Sequence, residues 1–378
     1  MTKTDAPAQT SGLAGVIAGK SSIGFIDGKQ GILRYRGYDI HELAEKSSFE
    51  ETVFLLWNGE LPSRAELADF TTFLASQREV PAPILEFIQN APSDANPMGL
   101  LRTAVSALGQ YDADAEDMSD AANKRKAGRL TAQLATLVAA IERCRQGLEP
   151  VAPDAALGHA ANYLFMLRGE RPDATESRAL DVCLVLHADH GFNASTFSAK
   201  VTSATLSDMH SAITSAVATL KGPLHGGANQ RVREMLDDIG SADRVPEWVE
   251  SKLAKKERIM GFGHRVYKVE DPRARHLRAG AEALSDKGNP ALLDISSRLV
   301  DVVNEAKGLQ VNVDFWSASL YSYLGLDPLS FPAIFALSRI SGWTTHVMEQ
   351  YADNKLIRPR AEYVGPGPRE YVAVDDRA

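Results

Sequence analysis

Along most of the chain the apolar residues recur at three- and four-residue spacing, the period of a helix with one buried face. In "RAELADFTTFLASQREV" Leu67, Phe70 and Leu74 share a face, and in "SDMHSAITSAVATL" Ile213, Val217 and Leu220 do the same. Val232, Met235, Leu236 and Ile239 mark another such helix just downstream, with Asn229 as its expected cap. One stretch departs from this pattern. "GFIDGKQGILRYRGYDI" (24–40) alternates Ile32, Arg34 and Arg36 after an Asp27-Gly28 turn, which predicts a short β-hairpin. No solenoid-length repeat stands out. The pattern predicts an all-α fold with a minor N-terminal hairpin.

Proline and glycine punctuate helices here. Asp271-Pro272 and Asn289-Pro290 each read as an N-cap followed by a first-turn proline. Lys221-Gly222-Pro223 reads as a basic last turn, a glycine cap and a stop. The resulting division is a large helical domain over 1–221 and 326–378, with a smaller one, 222–325, inserted into it.

Composition narrows the class without choosing a function. The chain has 378 residues, is 44% hydrophobic and carries a net charge of −8. That length allows a sizeable core, and the acidic balance argues against nucleic acid or an anionic membrane as the partner of the whole surface. Cys144 and Cys183 form no metal or redox motif, which fits a reducing compartment, and Cys183 reads as a buried small hydrophobe. The opening "MTKTDAPAQTSG" is polar, lacks the apolar core of a secretory signal and is expected to be a disordered lead-in. No apolar run is long enough to span a bilayer. A cytoplasmic location follows as the expectation.

Six stretches carry chemistry. "GPLHGGANQ" (222–230) sets His225 in a bare-backed break ahead of a helix N-terminus, where the helix dipole disfavours imidazolium. A neutral histidine there can donate to a developing enolate oxygen, and Gly226 and Gly227 would let a ligand approach. A loop histidine on a tight turn is the plain alternative. "GFGHRVYK" (261–268) places His264 after Gly261 and Gly263, and it is neither a dinucleotide fingerprint nor a P-loop. Around it, Lys252, Lys255, Lys256, Arg258, Arg265, Lys268, Arg273 and Arg275 face only Glu257, Glu270 and Asp271. In an acidic protein that excess points to a phosphorylated anion, unless it is a solvated face.

In "VNVDFWSASLY" (311–321) Asp314 reads either as a helix N-cap or as a carboxylate made a better base by its apolar neighbours. "LVLHADHGFNAST" (184–196) puts His187 and His190 three apart on one helical face, a buried pair or a ligand contact more readily than a metal site, since no third ligand is in register. "FPAIFALSRISGW" carries Arg339 in an apolar helix, where a guanidinium needs an anion. Beyond it, "NKLIRPRAEY" offers Arg358 and Arg360 in an extended segment.

Taken in order, "GPLHGGANQ", "GFGHRVYK…DPRAR" and "VNVDFWSASLY" resemble the three signature segments of the citrate synthase family, which includes the 2-methylcitrate synthases. The resemblance extends over nearly the whole chain after its first dozen residues. It implies a two-domain helical homodimer that closes over oxaloacetate and condenses it with acetyl-CoA, with no cofactor and no metal. Asp314 then matches the base that deprotonates the thioester methyl, His225 the group that hydrogen-bonds the thioester oxygen, and His264 the acid at the oxaloacetate carbonyl. Arg273, Arg339 and Arg358 match the carboxylate-binding arginines, the last donated by the other subunit. His190 matches an oxaloacetate contact, and Asn193 lies close to a ligand-contacting asparagine. The basic stretch gains a purpose in CoA, through Lys268, Arg265 and Lys256. Lys268 departs from the family's usual arginine, keeping the charge and losing the fork. The chain also lacks the extra N-terminal domain of the NADH-inhibited hexamers, so a simple dimer is expected.

Three rivals make different predictions. A 2-methylcitrate synthase would use propionyl-CoA, one methylene larger, a difference of about 1–3 kcal/mol in a pocket. A metal-dependent hydrolase built on "HADH" would lose activity to a chelator. A non-catalytic helical interaction protein would leave Arg339 and both glycine–histidine loops without a use.

Overall fold

The computed structural model describes residues 11–13 and 15–377. The expected polar lead-in therefore lies, but for its last two residues, outside the described residues. Sixteen α-helices and one three-stranded antiparallel sheet form the framework of the described residues, in agreement with the all-α expectation. None of these helices is long and apolar enough to cross a membrane.

The Phe331–Ala352 helix is the axis of the molecule. It runs for 22 residues, and every side chain from Phe331 to Val347 is buried. A helix apolar on all sides has no solvent face to offer, so it lies in the core, packed on the Asp120–Arg145, Ala174–His187, Ala194–Ser203 and Met209–Leu220 helices. Arg339 sits in the middle of it, 2% exposed.

The sheet is larger than a hairpin. Strands β1 (Gly24–Asp27), β2 (Ile32–Tyr35) and β3 (Tyr38–Asp39) pair in sequence order, with Gly24 opposite Tyr35 and Asp27 opposite Ile32. Leu33 and Tyr35 point into the core and Arg34 outward. Arg36 is not a strand residue as expected. With φ of 50° at Arg36 and 91° at Gly37, the pair forms the tight turn between β2 and β3, whose two left-handed residues match the twist of the strands.

Several caps differ from expectation. Asn229 lies inside the Ala228–Ile239 helix, which starts from Gly227. Gly222 is not a left-handed cap, and Lys221 ends the preceding helix. The helix after Asp271-Pro272 begins at Ala274, because the Asp271 carboxylate accepts from the backbone N–H of Arg273 and makes a turn of its own. Asn289 does accept from the Ala291 N–H at 3.1 Å, at the start of the Ala291–Lys307 helix. Cys183 is buried, as its apolar surroundings require, and both cysteines are free.

Candidate active site

His225 lies in the break between the Met209–Leu220 and Ala228–Ile239 helices. The glycines after it do different things. A Cβ at Gly226 would run into the carbonyl oxygen of Leu220, so this glycine is bare to let the loop fold back on the helix end, not to admit a ligand. Gly227 meets nothing closer than Pro223 Cα at 3.9 Å. The ring of His225 is oriented by Ser195, whose N–H donates to Nε2 at 3.3 Å and whose Oγ lies 2.8 Å from it. Trp343 Nε1 in turn donates to Ser195 Oγ at 3.1 Å. With Nε2 accepting, the proton of the neutral ring is on Nδ1. Burial, reinforced by the charge of Arg339, pushes His225 down to about 4, so it is neutral at physiological pH.

His264 and Asp314 come from distant segments zipped together by the backbone. Gly261 and Gly263 both take left-handed φ, 80° and 75°, which only glycine adopts without strain. The bend lets Gly263 N–H donate to the Gln310 carbonyl (2.8 Å) and Asn312 N–H to the Gly261 carbonyl (2.9 Å). Nδ1 of His264 accepts from the N–H groups of Val266 (2.9 Å) and Tyr267 (3.1 Å). Two donors on Nδ1 leave the ring proton on Nε2. Burial, with Arg273 adding to it, lowers this histidine also to about 4.

Asp314 is not the N-cap of its helix. Asn312 is, accepting from the Asp314 N–H at 3.0 Å at the head of Val313–Tyr323. That leaves the carboxylate free of capping duty. It keeps part of its surface open, yet burial raises it to about 6, against the opposing pull of Arg273. A carboxyl group so placed is a stronger base than one in water.

Two buried guanidinium groups flank these residues. Arg273 donates from Nε (2.9 Å) and Nη2 (2.7 Å) to Asp271, which leaves Nη1. Arg339 has no carboxylate at ion-pair distance among the described residues. Its Nε donates to the His187 carbonyl at 2.7 Å, its guanidinium lies 4.6 Å from the Phe335 ring centroid, and burial lowers its pKa to about 10. A buried cation without a counter-ion is electrostatically short of an anion. His190 stands beside this pair, 5.5 Å from the His264 ring and with Nε2 3.2 Å from Tyr267 Oη. Burial and the two arginine charges hold it well below the usual histidine range.

Other expected residues lie elsewhere. His187 and His190 do not share a helical face: the helix ends at His187, whose Nδ1 turns back to the Cys183 carbonyl at 2.8 Å. Among the described residues no three His, Cys, Asp or Glu side chains cluster as metal ligands would. Asn193 stays beside the site: its Oδ1 caps the Ala194–Ser203 helix and also accepts from Ser195 Oγ at 2.8 Å, the hydroxyl that orients His225. Lys256, Arg265 and Lys268 are exposed, and so is Arg358, in the extended segment that follows the central helix. Sequence reading missed Tyr35, Asp189, Ser195, Tyr267, Asp271 and Asn312. All six lie within or beside the quoted stretches; Ser195, Tyr267, Asp271 and Asn312 could have been found beside the residues they serve, while Tyr35 and Asp189 act through contacts that no local pattern reveals.

The chain is similar to known proteins over nearly its whole length. The family profile "Citrate synthase, C-terminal domain" matches residues 12–360. Citrate synthase 2 of Bacillus subtilis is 48% identical over 371 residues, spanning 98% of this chain and 99% of that protein. A 2-methylcitrate synthase of Mycobacterium tuberculosis is 43% identical over 365 residues, 96% of this chain and 92% of that one. Among solved structures, the citrate synthase of Thermoplasma acidophilum, in a ternary complex with carboxymethyl coenzyme A and oxaloacetate, superposes with a TM-score of 0.91 at 32% identity, covering 96% of this chain and 98% of that one. The chain belongs to the citrate synthase family. It is a condensing enzyme of the citrate (Si)-synthase type, for which the CoA thioester is a substrate and no cofactor is needed.

Proposed function

We propose that the enzyme condenses acetyl-CoA with oxaloacetate and water to give citrate and CoA. The observation that carries this reading is one raised carboxylate, Asp314, grouped with two neutral histidines of defined tautomer and a buried arginine that lacks an anion. Asp314 takes a proton from the thioester methyl group while the Nδ1–H of His225 hydrogen-bonds to the thioester oxygen and stabilises the enolate that forms. The enolate carbon bonds to the keto carbon of oxaloacetate, whose oxygen receives the Nε2 proton of His264, and the proton held on Asp314 is returned to His264 through solvent. Water then cleaves the citryl thioester, its hydroxyl going to the acyl carbon and a proton to the departing CoA sulfur. Arg273, through its remaining Nη1, and Arg339 hold the oxaloacetate carboxylates with His190, and Asn193 lies at the edge of the same site. A thioester α-proton is too weakly acidic for a carboxylate in water, so enolate stabilisation and proximity together supply several powers of ten.

In the same reading, 222–325 is a small domain that closes on the large one formed by 1–221 and 326–378. Lys256, Arg265 and Lys268 meet the phosphates of CoA. The protein is a homodimer in which Arg358 completes the neighbouring site. Its support is that Arg358, Tyr363, Val364 and Tyr371 are all exposed in a single chain, the last three at 77%, 88% and 85%. A cytoplasmic location fits the two free cysteines.

The second reading is 2-methylcitrate synthase, favoured by the Mycobacterium tuberculosis relative at 43% identity, against 48% for the Bacillus subtilis citrate synthase. Free-thiol release from acetyl-CoA and from propionyl-CoA, with and without oxaloacetate and EDTA, separates the two. Release that depends on oxaloacetate, ignores EDTA and is faster with acetyl-CoA is expected. A faster rate with propionyl-CoA would transfer the assignment to methylcitrate, and no release with either would overturn both.

A further inference from the structure

We infer that the small β-sheet is a positioning brace for the substrate loops, acting through Tyr35 at one end and Gly28 at the other. This rests on the condensing reaction proposed above. Besides sending Leu33 and Tyr35 into the core, these strands touch two loops that are far apart in sequence, those of His190 and His264.

One end lies under the loop that carries His190. Tyr35 Oη is 3.2 Å from the Leu186 carbonyl and 3.0 Å from the Asp189 carbonyl, and it accepts from the Asp189 N–H at 3.2 Å. A Cβ at Gly24, opposite Tyr35 in the sheet, would lie 2.7 Å from Asp189 Oδ2, so a side chain here would have to push that buried carboxylate aside. Gly191, next to His190, packs toward Ile26 of β1. The other end meets the loop that carries His264. Lys268 N–H donates to the Gly28 carbonyl at 2.7 Å. A Cβ at Gly28 would fall inside the carbonyl of Val266, the same residue whose N–H holds His264 Nδ1. Backbone cannot give way as a flexible side chain can, so Gly28→Ala must displace the loop.

The two ends predict different kinetic signatures. Tyr35→Phe loosens only the His190 loop and should raise the oxaloacetate KM about tenfold, with the acyl-CoA KM within about twofold of the parent. Gly28→Ala moves the loop that bears both His264 and Lys268 and should raise both KM values and lower kcat. Hydrogen–deuterium exchange reads the same effect without turnover: Tyr35→Phe should speed exchange at 186–191, and Gly28→Ala at 264–268. If Gly28→Ala does not fold, Tyr35→Phe decides alone. A sheet that merely stabilises the fold would lower Tm and leave both KM values and both loops' exchange unchanged, and that result overturns the brace. A parent without oxaloacetate-dependent thiol release would instead refute the proposed reaction, and loop exchange would still judge the brace.

Discussion

The side-chain amide of Asn312 donates to the Gly263 carbonyl at 2.9 Å, one residue before His264, while its oxygen caps the helix at the Asp314 N–H. One side chain thus fixes the relative position of the proposed base and the proposed acid. Asn312→Ser keeps a capping oxygen and loses the amide donor. It should hold Tm within about 2 °C of the parent and lower kcat roughly ten- to a hundredfold, whereas Asn312→Ala should lose about 1 kcal/mol of stability as well. Thermal melts beside steady-state rates check this; equal rates in Ser and parent would remove Asn312 from the positioning role.

Asp314 should set the acidic limb of the rate. Its carboxyl is raised from 3.8 to about 6 by burial, so the basic form is lost as pH falls through about 6, and kcat/KM should fall about tenfold per unit below it. The sign for stability is the reverse. A carboxyl whose folded pKa is raised favours the fold while protonated and disfavours it as pH rises through about 6. Asp314→Asn should therefore be inactive yet more stable at pH 8, by on the order of 1–2 kcal/mol after allowing for partial exposure, with the gain vanishing near pH 4. Melts at the two pH values test it.

The histidines contribute the opposite slope. His225 and His264 are both lowered to about 4, so the unfolded chain takes up protons first as pH drops below about 6.5, and stability falls over that interval. Between pH 6 and 8 neither ring titrates, and His225→Ala should leave the acidic limb near pH 6 in place. It should lower kcat by about 10²–10⁴ while oxaloacetate still raises Tm. A shifted limb would assign it to His225 instead of Asp314.

Arg358 can be tested by complementation. Arg358→Ala and His264→Ala should each be inactive, for different reasons. Unfolded, mixed equally and refolded together, they should recover about a quarter of parent activity, since half the dimers are mixed and one site in each is intact. No recovery from a mixture that contains mixed dimers would place Arg358 outside the site.

Helical class was legible in the chain itself, because a 3.6-residue period in segments such as Ile213–Val217–Leu220 reports a buried face wherever that face ends up. The glycine–histidine breaks and the stranded charge of Arg339 were legible for the same reason: both are locally anomalous, and local anomaly needs no third dimension. What only the tertiary structure decided is the meaning of each anomaly. Gly226 serves the packing of Leu220, His187 turns away from His190, and Asp314 is released from capping by Asn312. The same holds for Tyr35, an ordinary strand residue until its hydroxyl is seen 3.0 Å from the Asp189 carbonyl, 154 residues away. Periodicity encodes which side of an element is buried, but hydrogen bonds between distant segments depend on how elements meet, and no short window of sequence contains that.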